Sequence, residues 1–392
     1  MSRLTPRIAS QIAISVYDIQ KPSSLGGYRI DAKEAKGLSD YFTFDLSNGP
    51  IKGVSGGFFS HLLNRTTGFA LVGQGKGVYK GDYVIALRGT DSLKDAITDL
   101  HCGVSGSATG ATVHAGFNKT FYSMKPAFQD YFSAQLTQSS GGTLHCVGHS
   151  LGGALAGLTA DWLKSTYSLP VNLYTFGSPR IGLQGFAQKT TVRLDNIFRC
   201  SHGADPVPKV PLWPFTHAPS NGSEYRLDNS QGFSPNAHRM ASNGNPGYIN
   251  TAKSNDWASL QIKSNHFLNT PVRLKYEDRH HVSYGGYWAD KITSALITLL
   301  KDAGYYSSVL AQAGVGSSIT FYDLVARTLS DVVKASASLA AQTTGLLGHM
   351  LVFAGQALVK ITELTFEFIK WVFDKTINVL HRSVRAALDT IN

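Results

Sequence analysis

The sequence predicts a mostly parallel α/β sheet covered by helices on both faces, followed by an all-helical extension. Three observations predict it. Between residues 80 and 205, β-rich runs alternate with helical patterns, the signature of strands joined by crossover helices. Within that region a short apolar run, Leu144 to Val147, meets Gly148, Ser150 and Gly152 just before a stretch that reads as helix. After residue 305 no strand signal remains. A chain of 392 residues can bury a full core, so the expected division is one large unit over 1–304 and a helical extension over 305–392.

The elements follow in order. Ile8, Ile12, Val16 and Ile19 repeat at helical spacing, which predicts an amphipathic helix packed on the domain. Tyr83 to Leu87 reads as a strand and Ser92 to Leu100 as a short helix. Phe117 to Gln135 is a helix with apolar residues at 121, 124, 128 and 132. Val171 to Phe176 and Ile197 to Ser201 are further strands, and a helix over Ala289 to Leu300 closes the unit. Residues 207–280, rich in Pro, Gly, Asn and Ser, read as a long irregular excursion. Loops of that length in compact domains are usually functional or disordered.

Composition narrows the function classes. The chain is 43% hydrophobic and 16% charged, with a net charge of +10. After residue 300 there are 8 Lys+Arg against 7 Asp+Glu, so +9 of the surplus falls earlier. A basic surface favours anionic partners such as phospholipid. No Lys/Arg run or nucleic-acid motif is present, which excludes nucleic acid as the expected partner. Cys102, Cys146 and Cys200 are too few for a disulfide scaffold. The amino terminus has no continuous apolar segment and no small-residue cleavage site. The expectation is therefore a protein made in the cytoplasm without a cleaved signal, leaving the cell by a non-classical route if at all.

The glycine–serine turn is where chemistry is expected. Strand, sharp turn and helix is the context of a nucleophile elbow, in which Ser150 stands on a strained turn with its hydroxyl clear of the sheet. A hydroxyl needs a base, and the base needs an acid to orient it. Asp205, just beyond the strand ending at Ser201 and stiffened by Pro206 and Pro208, is the candidate acid. Asp195 precedes its strand and lies at the wrong end. Among 13 histidines, His280 and His281 stand directly before the last helix of the large unit and are the candidate bases. His217, His238 and His266 fall in the irregular excursion and read as surface or packing residues, and His149 reads as structural. An oxyanion needs donors: the backbone N–H of Leu151 is one, and Thr90, in A-L-R-G-T-D, is the other. The helix just past Thr90 carries Leu93, Ala96, Ile97 and Leu100 on one face and reads as a lid.

These segments together resemble the class 3 lipase family, the fungal-type lipases and their bacterial and plant relatives. The matching stretches are Y-V-I-A-L-R-G-T-D-S at 83–92, V-H-A-G-F at 113–117, V-G-H-S-L-G-G-A-L-A at 147–156, F-G-S-P-R-I-G at 176–182, D-P-V-P at 205–208 and H-V-S-Y at 281–284. The resemblance covers about residues 5 to 300. It implies an α/β-hydrolase fold, hydrolysis of lipid carboxylic esters and no cofactor; no metal-ligand spacing stands out among the histidines and carboxylates. It also implies Ser150 as nucleophile, Asp205 as acid, His281 as base (the H-x-S-Y pattern selecting it over His280), and Thr90 with Leu151 as oxyanion hole. The chain departs from the pattern at Ala96, where the family usually has a lid Trp, and in the longer stretch between Asp205 and His281.

The extension has no counterpart in the compact fungal enzymes. Ala335 to Val359 carries no formal charge but is interrupted by Gln, His and Gly, too weakly apolar to be the favoured reading for a membrane span. Residues 361, 364, 368, 372 and 379 form an apolar stripe that suits a helical hairpin packed on itself, on the lipase-like unit, on a partner or on a membrane surface. Bacterial lipases with such an extension resemble antibacterial phospholipase effectors of contact-dependent secretion systems, which implies an immunity protein as partner. The expected substrate is a membrane phospholipid, cleaved in the manner of a phospholipase A. The alternatives are a triacylglycerol lipase, an acyltransferase or thioesterase on the same elbow, and a membrane-perturbing or pore-forming protein acting through its tail.

Overall fold

A computed structural model describes residues 2–20, 28–30, 37–46, 49–54, 66–89, 103–136, 141–220, 223–228, 232–244, 246–264, 272–313 and 321–389. Thr90, the lid reading over 92–100, Cys102 and His266 lie outside the described residues.

The central sheet contains eight described strands: β1 Phe42–Phe44, β2 Ile51–Val54, β3 Thr66–Gly75, β4 Tyr83–Gly89, β5 Leu144–His149, β6 Val171–Phe176, β7 Asn196–His202 and β8 Tyr225–Asp228. Their spatial order is β8-β7-β6-β5-β4-β3-β1, with β2 also paired to β3. From β4 to β8 neighbouring strands run parallel, while β3 is antiparallel to β4, β1 and β2. The fold is an α/β-hydrolase with a mostly parallel sheet and helices on both faces.

The period of two along a strand assigns each side chain to a face. In β4, Tyr83, Ile85 and Leu87 join one core and Val84 and Ala86 the other; in β6, Leu173 faces the first while Tyr174 and Phe176 face the second. The first core is roofed by helices Ala115–Leu136, Leu151–Thr166 and Gly286–Asp302. Its buried rings Phe117, Phe121, Phe128 and Phe132 recur at helical spacing. The second core is closed by the amino-terminal helix Pro6–Ser15, which buries Ile8, Ala9, Ile12 and Ala13. Thr5 caps it by accepting from Ile8 N at 3.2 Å, and Pro6 suits the first turn because its missing N–H would be unpaired there anyway. The predicted helical repeat thus ends before Ile19, which lies in a two-residue strand.

The excursion over 207–280 is more structured than its composition suggests. It contains β8, the 3₁₀ turn Pro235–His238 and the helices Tyr248–Thr251 and Trp257–Lys263. After residue 305 come helices Tyr306–Ala313, Phe321–Ala335, Ala337–Phe353 and Phe366–Asp389. The apolar stripe expected from residue 361 is corrected. The last helix begins only at Phe366, and its buried face is Ile369, Val372, Phe373, Thr376, Ile377, Leu380 and Val384. Apart from Thr376, these residues join the same core as Trp288, Ile292 and Leu296 of helix Gly286–Asp302. Among the described residues no helix is long and apolar enough to cross a membrane.

Candidate active site

The turn between β5 and helix Leu151–Thr166 holds Ser150 at φ 57°, ψ −133°, the one positive φ among described non-glycine residues. Such a conformation stores strain and persists only where its surroundings over-determine it. Here Ser150 N donates to Phe176 O at 2.9 Å, and Ser150 O accepts from Gly153 N at 2.9 Å. The two motif glycines are steric requirements. A Cβ on Gly148 would overlap Gly152 O, and one on Gly152 would overlap Leu87 O of the neighbouring strand.

Two further polar side chains converge on Ser150. Its hydroxyl donates to His238 Nε2 at 2.8 Å, and His238 Nδ1 donates to both oxygens of Asp205, at 3.0 and 2.9 Å. Asp205 follows β7 as expected and is fully buried. Its carboxylate also accepts from Val207 N at 2.9 Å and from the Tyr248 hydroxyl at 2.7 Å. Three donors, one of them bifurcated over both oxygens, satisfy a carboxylate that would otherwise be costly to bury. Gly177 (φ +58°) lets the backbone pass close by, since a Cβ there would lie 2.7 Å from Asp205 Oδ2 and 3.0 Å from His238 Nδ1.

The structure does not bring His281 to this site. It stands exposed at the end of the 3₁₀ turn Tyr276–His281, its ring 4.0 Å from that of the equally exposed His280. The reason is the extension: helix Ala337–Phe353 packs on this turn. Gly345 and Gly348 admit Leu274 and Tyr276 so closely that neither position has room for a Cβ. The base position is filled instead by His238, which reading by sequence position placed among loop-packing residues. The signal that could have found it was β8: recognised as the last parallel strand, Tyr225–Asp228 would have made the following loop, with its Pro235-Asn-Ala-His238 turn, the place to seek a histidine. Leu151 stands where expected, as the first residue of the elbow helix, whose initial N–H groups lack intrahelical partners and carry the positive end of the dipole.

A second tier holds the base. His149 Nε2 donates to His238 O at 2.8 Å, and Tyr17 donates to His149 Nδ1 at 2.9 Å. Burial first, then the neighbouring His238, pushes the His149 proton affinity well down, so that ring is neutral. His202 donates from Nδ1 to Ala237 O at 2.6 Å and stacks on Tyr248 at 3.9 Å. Burial depresses its affinity too, and raises the Tyr248 phenol well above its ordinary value, so Tyr248 stays a donor to Asp205. No group of three potential metal-binding side chains occurs among the described residues.

Comparison with known proteins places the site in context. Residues 84–215 match the class 3 lipase family. A secreted mono- and diacylglycerol lipase of Fusarium solani is 33% identical over 149 residues, 38% of this chain and 44% of that protein. A lipase of Rhizopus niveus is 35% identical over 164 residues, 39% of this chain and 40% of that protein. The aligned region therefore spans less than half the length of these relatives. The crystal structure of a mono- and diacylglycerol lipase from Aspergillus oryzae is 21% identical, covering 67% of this chain and 95% of that one with a TM-score of 0.45. The expected non-classical exit without a cleaved signal is corrected by these relatives, since the Fusarium enzyme is a secreted lipase.

Proposed function

We propose that the protein is a serine hydrolase of lipid carboxylic esters, with Ser150 as nucleophile, His238 as base and Asp205 as the orienting acid, a reading supported by the match of residues 84–215 to the class 3 lipase family. The observation that carries the reading is the unbroken relay from the Ser150 hydroxyl through His238 to Asp205, two hydrogen bonds of 2.8 and 2.9 Å on a strained elbow. In the proposed reaction His238 Nε2 takes the Ser150 proton as Oγ attacks the ester carbonyl. The negative charge that develops on the carbonyl oxygen is met by the N–H of Leu151 at the helix start, with Thr90 proposed as the second donor. Imidazolium then gives its proton to the departing alcohol. Water, deprotonated by the same ring, releases the fatty acid and restores Ser150.

The substrate class proposed is a glycerolipid. The Fusarium relative acts on mono- and diacylglycerols by its name, which favours acylglycerols with a free hydroxyl. The basic charge of residues 1–300 favours phospholipid as a second substrate, in the manner of a phospholipase A. The test is product analysis by mass spectrometry with diacylglycerol, triacylglycerol and mixed bacterial phospholipids, using the protein and Ser150→Ala. Fatty acid release that falls by about 10⁶-fold in Ser150→Ala, by the measure of other serine hydrolases, supports the reading. Equal release by both proteins overturns it, and membrane leakage that persists in Ser150→Ala would point to a tail-driven mechanism instead.

A further inference from the structure

We infer that Arg180 is a positioning residue that locks the turn carrying Asp205 to the segment that supports the nucleophile elbow. The inference rests on the proposed hydrolase reading and deepens it. Arg180 is almost entirely buried, yet its guanidinium is spent on backbone carbonyls: Nη1 donates to Lys209 O at 2.5 Å and to Pro211 O at 2.8 Å. Its own backbone N donates to Val210 O at 2.8 Å. Three consecutive carbonyls of the turn beyond Asp205 are thus held by one residue. His217 Nε2 holds the preceding carbonyl, Pro208 O, at 2.8 Å.

The segment that carries Arg180 is fixed on its other side to Ser150. Phe176 O accepts from Ser150 N at 2.9 Å, and Ser178 lies against Gly153 of the elbow helix so tightly that a Cβ there would come within 2.6 Å of Ser178 Cβ. Ile181 fills the space over Gly157, one helical turn further. Arg180 is therefore the link between the nucleophile's support and the acid's turn, and Asp205 in turn orients His238. Charges around it belong to the same lock. Lys209 Nζ donates to Asp290 at 2.8 Å, Glu224 is paired with Arg199 at 2.8 Å and Arg226 at 2.6 Å, and Arg226 approaches Asp290 at 3.8 Å. Three buried cations, Arg199, Lys209 and Arg226, share the two carboxylates Glu224 and Asp290, while Arg180 is held by backbone carbonyls alone. Burying an unpaired guanidinium is costly, and apolar residues of similar volume often stabilise such sites as well or better. Both carbonyls are reached from one nitrogen, Nη1, which the guanidinium holds one atom further from the main chain than a lysine ammonium sits.

The test is steady-state kinetics on a short-chain ester with Arg180→Lys, which keeps the charge and shortens the reach to the two carbonyls. Phosphonate labelling of Ser150 is measured alongside. The expected result is a folded protein with kcat reduced at least tenfold, KM within twofold, and labelling slowed by the same factor. A folded Arg180→Lys with kcat and labelling within threefold of the parent overturns the inference, whatever happens to its melting temperature. Should Arg180→Lys fail to fold, Asp290→Asn decides. It frees Lys209 while leaving Arg180 in place, and is expected to lower kcat at least threefold at constant KM; unchanged kcat overturns the inference. The hydrolase reading is judged separately, by whether the parent protein turns over substrate that Ser150→Ala does not.

Discussion

At the scale of single residues, the two histidines that compete for the base role differ in what surrounds them. His238 is fully buried between Ser150 and Asp205, whereas His281 stands in solvent. His238→Asn is expected to lower kcat by about 10⁴-fold or more, since removal of a member of such a relay leaves only oxyanion and binding contributions. His281→Asn is expected to change kcat less than threefold, and ester hydrolysis by the two purified variants checks both. Gly177 makes a sharper point about space. Its φ of +58° and its approach to Asp205 Oδ2 leave no room for a methyl group. Gly177→Ala is expected to cost about 1–3 kcal/mol in urea unfolding and to reduce activity in the folded fraction, because the displaced atom is the acid's own oxygen.

Elements were legible in the sequence to the degree that one physical pattern dominated them. β6 spans the residues that its apolar run predicts, and β5, buried on both faces, extends that run only to His149. Helix Ala115–Leu136 follows from its ring spacing with its ends moved by one or two residues. β8 was not legible, because four residues at a sheet edge, Tyr-Arg-Leu-Asp, bury only Arg226 fully and carry no apolar run. Missing that strand is what misplaced the base. The extension shows the opposite limit: its helices were readable, but which face docks where depends on partners far away in sequence. Tyr284 illustrates it. Its hydroxyl donates to Val379 O at 2.8 Å and contacts Ser383, while its ring meets Phe233 at 4.9 Å and Phe353 at 5.0 Å. Helix Phe366–Asp389 also packs on Pro235–His238. Gly345→Leu, placing a side chain where Leu274 O lies, is expected to lower the melting temperature and to increase proteolysis after residue 305, measured by differential scanning and limited trypsin digestion.

For the whole molecule, pH sensitivity follows from imidazoles kept neutral by burial. His149 and His202 are fully buried, and their proton affinities are depressed below the ordinary 6.5, mainly by desolvation. The unfolded chain therefore binds protons that the folded one refuses. Their contribution to stability is fully present above about pH 6.5 and is lost as pH falls below it. Urea midpoints at pH 7.5 and 5.5 are expected to differ accordingly, and equal midpoints would contradict the burial of neutral rings.

The near-complete enclosure of Ser150, with 2% of its surface exposed, carries a kinetic corollary. A dissolved sulfonyl fluoride that must wait for Ser150 to be uncovered would inactivate at a rate that levels off at high reagent concentration, whereas a rate rising in proportion would show the hydroxyl already within reach. Recording the two curves with and without an emulsion reads whether a lipid surface changes that access.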